Sequence, residues 1–363
     1  MPTRLKVAAI GSGYWGPNLI RNFIEMPDAT VAAVADLDPE RLTAIRSRFP
    51  QIGTLTTDYR ALFDMGLDAV VVSTPPETHA AIVADCLEHD LSVLVEKPLT
   101  TDTESAEHLK AIADERGMVL MVGHTFEFNP AVRVLKSMLD DRIAGDIRYI
   151  DAVRVGLGLF HPRLNVVWDL APHDISILIY LLGEMPLTAS TRGVACVQDG
   201  VEDVAYLTLT FPSGILAHVR LSWLDPMKTR RLTVVGSRKM IVYDDVALDE
   251  KIRVYDKRVD AMPRTDTFGA FQFAYHHGGI EIPPIDFQEP LRIECQHFVD
   301  CVRAGLRPLT DADSGIRVVR VIEAAQESLR RGGAPVDVMA ERGAESLSPD
   351  VAAPRAASVR GSS

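Results

Sequence analysis

Cysteine is scarce. Cys86, Cys196, Cys295 and Cys301 are the only four in 363 residues, and no two have CxxC spacing. That leaves no disulfide framework and no thiolate zinc or dithiol redox site, and no metal is expected. Long apolar runs are also missing, since none approaches the roughly 20 residues that cross a bilayer. The N-terminus passes from MPTR straight into an apolar strand pattern. It lacks a basic stretch, a long apolar core and a cleavage site, so a cytoplasmic location is expected. Positive charge is in deficit: 38 Lys and Arg against 50 Asp and Glu give a net charge of −12. Such a chain has no general affinity for nucleic acid or for an anionic membrane. A small anionic ligand needs only a local positive site.

What is present is an ordinary globular composition, 47% hydrophobic and 24% charged, in a length that suits two domains. Short Val/Ile/Ala/Leu runs alternate with amphipathic stretches up to about residue 124: LKVAAI (5–10), TVAAVAD (30–36), DAVVVST (68–74), SVLVEKP (92–98) and MVLMVGH (118–124). Continuous apolar strands between helices predict βαβ units and a parallel sheet covered on both faces. The fold class is therefore α/β, with a Rossmann-type dinucleotide-binding domain over residues 1–124. The pattern then changes. Helices at NPAVRVLKSMLDD and DLAPHDISILIYLLG accompany successive strands with turn signals between them, from DIRYIDAVRV to KIRVYD. This predicts an α+β domain over residues 125–331 on a largely antiparallel sheet. Two closing helices, at 289–305 and 314–331, are expected to pack back near the first domain. Residues 332–363 are rich in Ala, Ser, Gly, Pro and Arg and read as a flexible tail.

Gly11, Gly13 and Gly16 form GxGxxG directly after the first strand and at a helix start. The first glycine serves a tight turn, the second admits a pyrophosphate, and the third lets helix pack on strand. The helix N-terminus offers free N–H groups to the anion. Tyr14 and Trp15 lie inside this loop and contribute backbone N–H groups, their side chains turning to the edge of the cleft. Asp36 ends the second strand, placed to accept from ribose hydroxyls and to repel a 2′-phosphate. The cofactor expected is NAD rather than NADP.

Three further segments end strands at the carboxyl edge, where open α/β sheets bind ligands. STPPETH (73–79) brings Thr74, Pro75 and His79 to the cofactor. EKP (96–98) brings Glu96 and Lys97. GHTFEFNP (123–130) brings His124 and Asn129. In WDLAPHDISIL (168–178), Asp169 and His173 are four apart and share a helix face.

Together, GSGYWG, Asp36, STPPETH, EKP and the D-x-x-x-H of DLAPH resemble the Gfo/Idh/MocA oxidoreductase family, the glucose–fructose oxidoreductase and inositol dehydrogenase group. The resemblance covers about residues 4 to 330. It implies a second domain whose open sheet makes a homodimer or homotetramer, and a catalytic set of Lys97, Asp169 and His173. Their chemistry suits oxidation of a secondary ring hydroxyl of a small sugar substrate. His173 takes the hydroxyl proton and Lys97 stabilises charge on the same oxygen, or the two exchange roles. Asp169 orients His173 or holds a neighbouring hydroxyl. GYWGPN, GHTFEFNP, WDLAPHD and SWLDPMKTRR look most like the family's sugar 3-dehydrogenase branch, which acts on amino sugars and nucleotide sugars. Arg154, His161 and Asn165 are candidate substrate contacts, and Lys228, Arg230 and Arg231 are candidate phosphate or sugar contacts. Two other readings stand beside this one: an NAD-dependent glycosidase that uses transient oxidation, and a non-catalytic NAD-binding sensor or scaffold.

Overall fold

The computed structural model describes residues 4–261 and 273–340. Its first half alternates strands β1 (Leu5–Ile10), β2 (Ala29–Ala35), β3 (Thr54–Thr56), β4 (Ala69–Val72), β5 (Ser92–Glu96) and β6 (Leu120–Gly123) with helices α1 (Gly16–Glu25), α2 (Pro39–Arg48), α3 (His79–Glu88) and α4 (Thr103–Arg116). The strands form one parallel sheet in the order β3-β2-β1-β4-β5-β6. The order reverses between β1 and β4, and a crevice opens at the carboxyl ends of strands at such a point. Val70 to Val72 and Val93 to Val95 are all but inaccessible, as strands covered on both faces must be. β3 escaped the sequence pattern because its three residues are half-buried edge positions with no apolar run.

The second half begins with a 3₁₀ turn (Thr125–Phe128) and α5 (Pro130–Asp140), then β7 (Ile147–Val155) and α6 (Val166–Leu182). Strands β8 (Thr188–Val194), β9 (Val204–Thr210), β10 (Leu216–Ser222), β11 (Thr229–Gly236), β12 (Met240–Asp244), β13 (Ile252–Ala261) and β14 (Phe273–Glu281) follow. Two helices, α7 (Pro290–Ala304) and α8 (Ala312–Arg330), and a short strand β15 (Val336–Asp337) close the chain. The sheet order is β14-β13-β12-β11-β7-β10-β9-β8-β15, antiparallel except where β10 runs parallel to β7. Helices cover one face of this sheet.

Phe298 of α7 meets Phe23 of α1 edge-on at 6.3 Å, and Cys295 and Val299 join the same core. α8 is a shared wall: Ile316 and Val319 pack with the first sheet, Val318, Val321 and Ile322 with the second. Residues 332–340, expected as the start of the flexible tail, lie against the second sheet instead. β15 pairs with β8 and Val338 is buried, because the sheet edge offers backbone partners that composition does not reveal. Residues 341–363 of the expected tail lie outside the described residues.

Candidate active site

The glycine loop closes at the switch point of the first sheet. Gly11 has φ +92°, and a Cβ there would lie 2.8 Å from the backbone of Ser73. A Cβ on Gly16 would collide with the Gly11 carbonyl, so α1 could not pack this close. Gly13 differs: its nearest neighbour would be the Arg41 guanidinium at 3.5 Å. No protein contact demands glycine at 13, whereas close approach of a pyrophosphate to the backbone does. The loop fits a dinucleotide on this ground. Pro17 follows at the first turn of α1, where a lost N–H costs nothing.

Asp36 is buried and already occupied on one side. Its Oδ2 accepts from Ser12 N (2.6 Å) and Ser12 Oγ (2.8 Å), and its Oδ1 accepts from Asp38 N (2.9 Å). These bonds fix the carboxylate beside the loop. Arg41 reaches within 3.8 Å of the same carboxylate. Arg41 belongs to none of the motifs that mark the site. Its signal was the LDPER start of α2, which places a cation one turn into the helix after Asp36.

The two aromatics of the loop part company. Tyr14 projects into solvent. Burial pushes the Glu96 carboxyl up to about 7, opposed by Lys97 and then by a hydrogen bond with the Trp15 side chain. His79 is fully buried, with Nδ1 2.9 Å from the Pro98 carbonyl and Nε2 2.9 Å from the Thr74 carbonyl. Both ring nitrogens are taken by backbone, so His79 is a tie between two loops and not a free cofactor contact. Burial also lowers its pKa.

Lys97 points across the crevice to the first turn of α6. Its Nζ donates to the Asp169 carbonyl at 2.7 Å and to Asp169 Oδ1 at 3.3 Å. The second carboxylate oxygen, Oδ2, accepts from the Trp223 indole N–H at 3.0 Å. Asp169 therefore holds Lys97 and Trp223. No bond to His173 is present, although the two share a helix face; Lys97 and Trp223 have claimed both oxygens. His173 instead packs edge-on against Phe126, ring centroids 5.0 Å apart. Burial above all, then the charges of Lys97, Arg154 and Arg230, pushes its pKa well down, so the imidazole is neutral. An imidazole of this kind can accept a proton, and an ammonium in its field can stabilise negative charge.

Arg154 is buried and clamped by Asp174, at 2.6 Å (Nε to Oδ2) and 3.1 Å (Nη2 to Oδ1). Its register partner on β11 is Arg230, which pairs with Asp245 at 3.4 Å. Both guanidiniums lie over the Phe126 ring, at 4.5 and 5.9 Å. Two like charges directly opposite repel, and Asp174 and Asp245 are the compensating acids. Arg154 is thus mainly a buried ion-pair partner. Its place in the strand alternation, inward like Ala152, was the sequence signal that it needed an acid. Arg231 is exposed on the other face of the sheet, and Lys228 is exposed beside Gly156.

Two asparagines leave the site. Asn129 caps α5 through Ala131 N and donates to Tyr243 Oη (3.0 Å) and Asp245 Oδ1 (3.2 Å). Asn165 caps α6 through Val167 N and Trp168 N and donates to Glu202 (2.8 Å) and Gln326 (2.9 Å). Helix-capping chemistry, worth about 1 kcal/mol each, explains both. His124 is buried behind the crevice, and His161 is exposed on the loop that follows β7, its ring 6.4 Å from Trp223.

Trp223 was missed, although SWLDP places a tryptophan at the end of β10. Trp223→Phe keeps an aromatic ring against Phe160 while deleting the indole N–H and part of the buried ring. A hydrogen bond to a charged group contributes about 1.5–3 kcal/mol, so a fall in kcat/KM of about 10- to 100-fold is expected, with NAD affinity unchanged. Wild-type kcat/KM in that variant would mean that Lys97 alone positions Asp169.

Residues 5–124 match the model of the Gfo/Idh/MocA oxidoreductase family, NAD-binding Rossmann fold, and residues 132–242 match that of the family's C-terminal domain. UDP-N-acetylglucosamine 3-dehydrogenase of Acidithiobacillus ferrooxidans is 26% identical over 87% of this chain and 94% of its own length. The NAD-dependent scyllo-inositol 2-dehydrogenase of Bacillus subtilis is 26% identical over 92% of this chain and 96% of its own length. A solved chain from Magnetospirillum magnetotacticum MS-1, itself only inferred to be an oxidoreductase, is 32% identical with a TM-score of 0.75, covering 89% of this chain and 99% of that one. No helix among the described residues is long and apolar enough to cross a membrane. By these matches the chain belongs to the Gfo/Idh/MocA oxidoreductase family and carries that family's NAD-binding Rossmann fold.

Proposed function

We propose that this chain is an NAD-dependent dehydrogenase that oxidises a secondary ring hydroxyl, the 3-hydroxyl of a nucleotide-linked amino sugar or a related sugar. One observation carries the reading: Lys97, at the end of β5, is held at 2.7 and 3.3 Å by Asp169, whose other oxygen takes the Trp223 N–H, one helical turn before His173. Bound NAD would supply the hydride acceptor, held by the glycine loop, Asp36 and Glu96. His173 removes the hydroxyl proton, and Lys97 stabilises negative charge on the oxygen. The sugar class follows the relatives that act on UDP-N-acetylglucosamine and inositol.

The test is a screen of NAD reduction by absorbance, with nucleotide sugars, sugar phosphates, cyclitols and aminoglycosides. Reduction of NAD by a nucleotide sugar is expected. Release of sugar from a glycoside without net NAD reduction would replace this reading by the glycosidase one. Absence of both with NAD bound would favour a sensor.

The choice of NAD over NADP rests on Asp36. Asp36→Ala removes hydrogen bonds of a charged acceptor, so the NAD-to-NADP ratio of kcat/KM should fall about 10- to 100-fold. An unchanged ratio would assign the discrimination elsewhere, Arg41 being the next position to vary.

The outer face of the second sheet supports assembly of two or more copies. Tyr149 and Leu216 are register partners, and Tyr206 stacks on His218 of the neighbouring strand at 6.1 Å. All three apolar side chains are nearly half exposed, an arrangement that suits an interface.

A further inference from the structure

Beyond His173, α6 borders a second concavity. His173, Ser176 and Tyr180 recur at intervals of three and four on one face of that helix. Ser176 Oγ donates to the His173 carbonyl at 3.0 Å. From there a cleft of about 370 Å³ opens between α6, the 3₁₀ turn and the N-terminal end of α8. It shares no lining residue with the glycine loop or with Lys97, Asp169 and His173. Its volume suits a small ligand, and the joint between two domains is a common place for such a site.

The walls hold polar groups that the protein leaves unused. Glu127 is 5% exposed, yet among the described residues no group hydrogen-bonds to its carboxyl or forms an ion pair with it. The backbone that carries it is fixed on both sides. Its N–H donates to the His124 carbonyl at 2.9 Å, and its carbonyl accepts from Arg133 Nε at 3.1 Å. A carboxyl this buried and unbonded is costly unless a water or a ligand meets it. Arg317, exposed and lining the same cleft, also has no hydrogen bond or ion pair among the described residues. Ile179, Met185, Leu309 and Val318 add apolar surface between the polar groups.

We propose that this cleft is a second binding site, for a small zwitterion that carries an ammonium and a carboxylate on an aliphatic body. The ammonium meets Glu127, the carboxylate meets Arg317, and the aliphatic part lies on the apolar side chains. The proposal is independent of the dehydrogenase reading. The empty cleft favours the neutral acid: burial pushes the Glu127 carboxyl up to about 8, with Arg317 and Arg133 opposing and Asp311 adding to it. Tyr180 of α6 and Glu294 of α7 also face it, and Glu184 lines the same cleft. An ammonium reverses that balance, so binding at pH 7 releases the Glu127 proton to the buffer.

The test titrates the full chain with L-norvaline and with δ-aminovalerate, which set the two charges at different spacings. Calorimetry at pH 7 in two buffers of different ionisation heat reads affinity and proton release together. One of the two zwitterions should bind one to one and release about one proton, with affinity unchanged by saturating NAD. Glu127→Gln and Arg317→Ala should each weaken it about 10- to 100-fold, the loss of one hydrogen bond to a charged group. Glu127→Gln should also abolish the proton release. Both variants are expected to bind NAD as the wild type does, which shows that they fold. Valerate and pentylamine, each lacking one charge, should bind at least about tenfold more weakly. Binding of neither zwitterion, binding indifferent to both substitutions, binding without proton release, or displacement by NAD overturns the proposal.

Discussion

Lys97→Ala is expected to lower kcat about 10²- to 10³-fold, the loss seen when one preorganised donor to a developing oxyanion is deleted. The dissociation constant for NAD should stay within about threefold, under 1 kcal/mol. The separation follows from the geometry. The Lys97 side chain is spent on Asp169, at 2.7 and 3.3 Å, and not on the glycine loop. Trp223 still holds Asp169 Oδ2 in the variant, so the first turn of α6 keeps an anchor. The variant carries a second signature. The Lys97 charge is one of the forces that hold the His173 pKa down. Without it that pKa rises toward the ordinary value, and the acid limb of the residual activity moves to higher pH. Steady-state kinetics across pH, with a fluorescence titration of NAD(H), reads both effects. Full activity in Lys97→Ala would end the assignment.

His173→Asn should cost about 10²- to 10⁴-fold in kcat, the usual contribution of a positioned general base. The wild-type pH profile gives an independent reading. A base works in its neutral form, above its pKa. In His173 burial, then Lys97, Arg154 and Arg230, favour the neutral ring. Activity limited by this group should therefore run flat as pH falls through about 6.5, the ordinary histidine value, and decline only at lower pH. An acid limb centred on the ordinary value would mean that the ring is solvated, contrary to its place against Phe126.

The fold was legible where one physical signal dominated. Buried parallel strands such as Val70–Val72 are apolar throughout, and the glycine loop follows the first of them. β14 was not read, because FAYHHGGIE lies at the sheet edge and alternates too weakly for a strand pattern. The site was legible by residue type but not by pairing. Asp169 and His173 share a helix face, which suggested a dyad. The Asp169 oxygens were taken instead by Lys97 and Trp223, which are 72 and 54 residues away. Asn129 and Asn165 looked like ligands because polar residues near catalytic segments do. Their positions just before helices carried the competing signal of a cap, and the cap won. Asp174, adjacent to His173, went unread because its partner, Arg154, becomes a neighbour only when β7 lies under α6.

His79 has a mechanical consequence. Its ring is wedged between the Thr74 and Pro98 carbonyls, one on the segment that follows β4 and the other directly after Lys97. A dinucleotide that pushes on Thr74 and Pro75 therefore pushes on the peptide that carries Lys97. The imidazole thus ties the two strand-end segments together through their backbones, so a load on one is shared by the other.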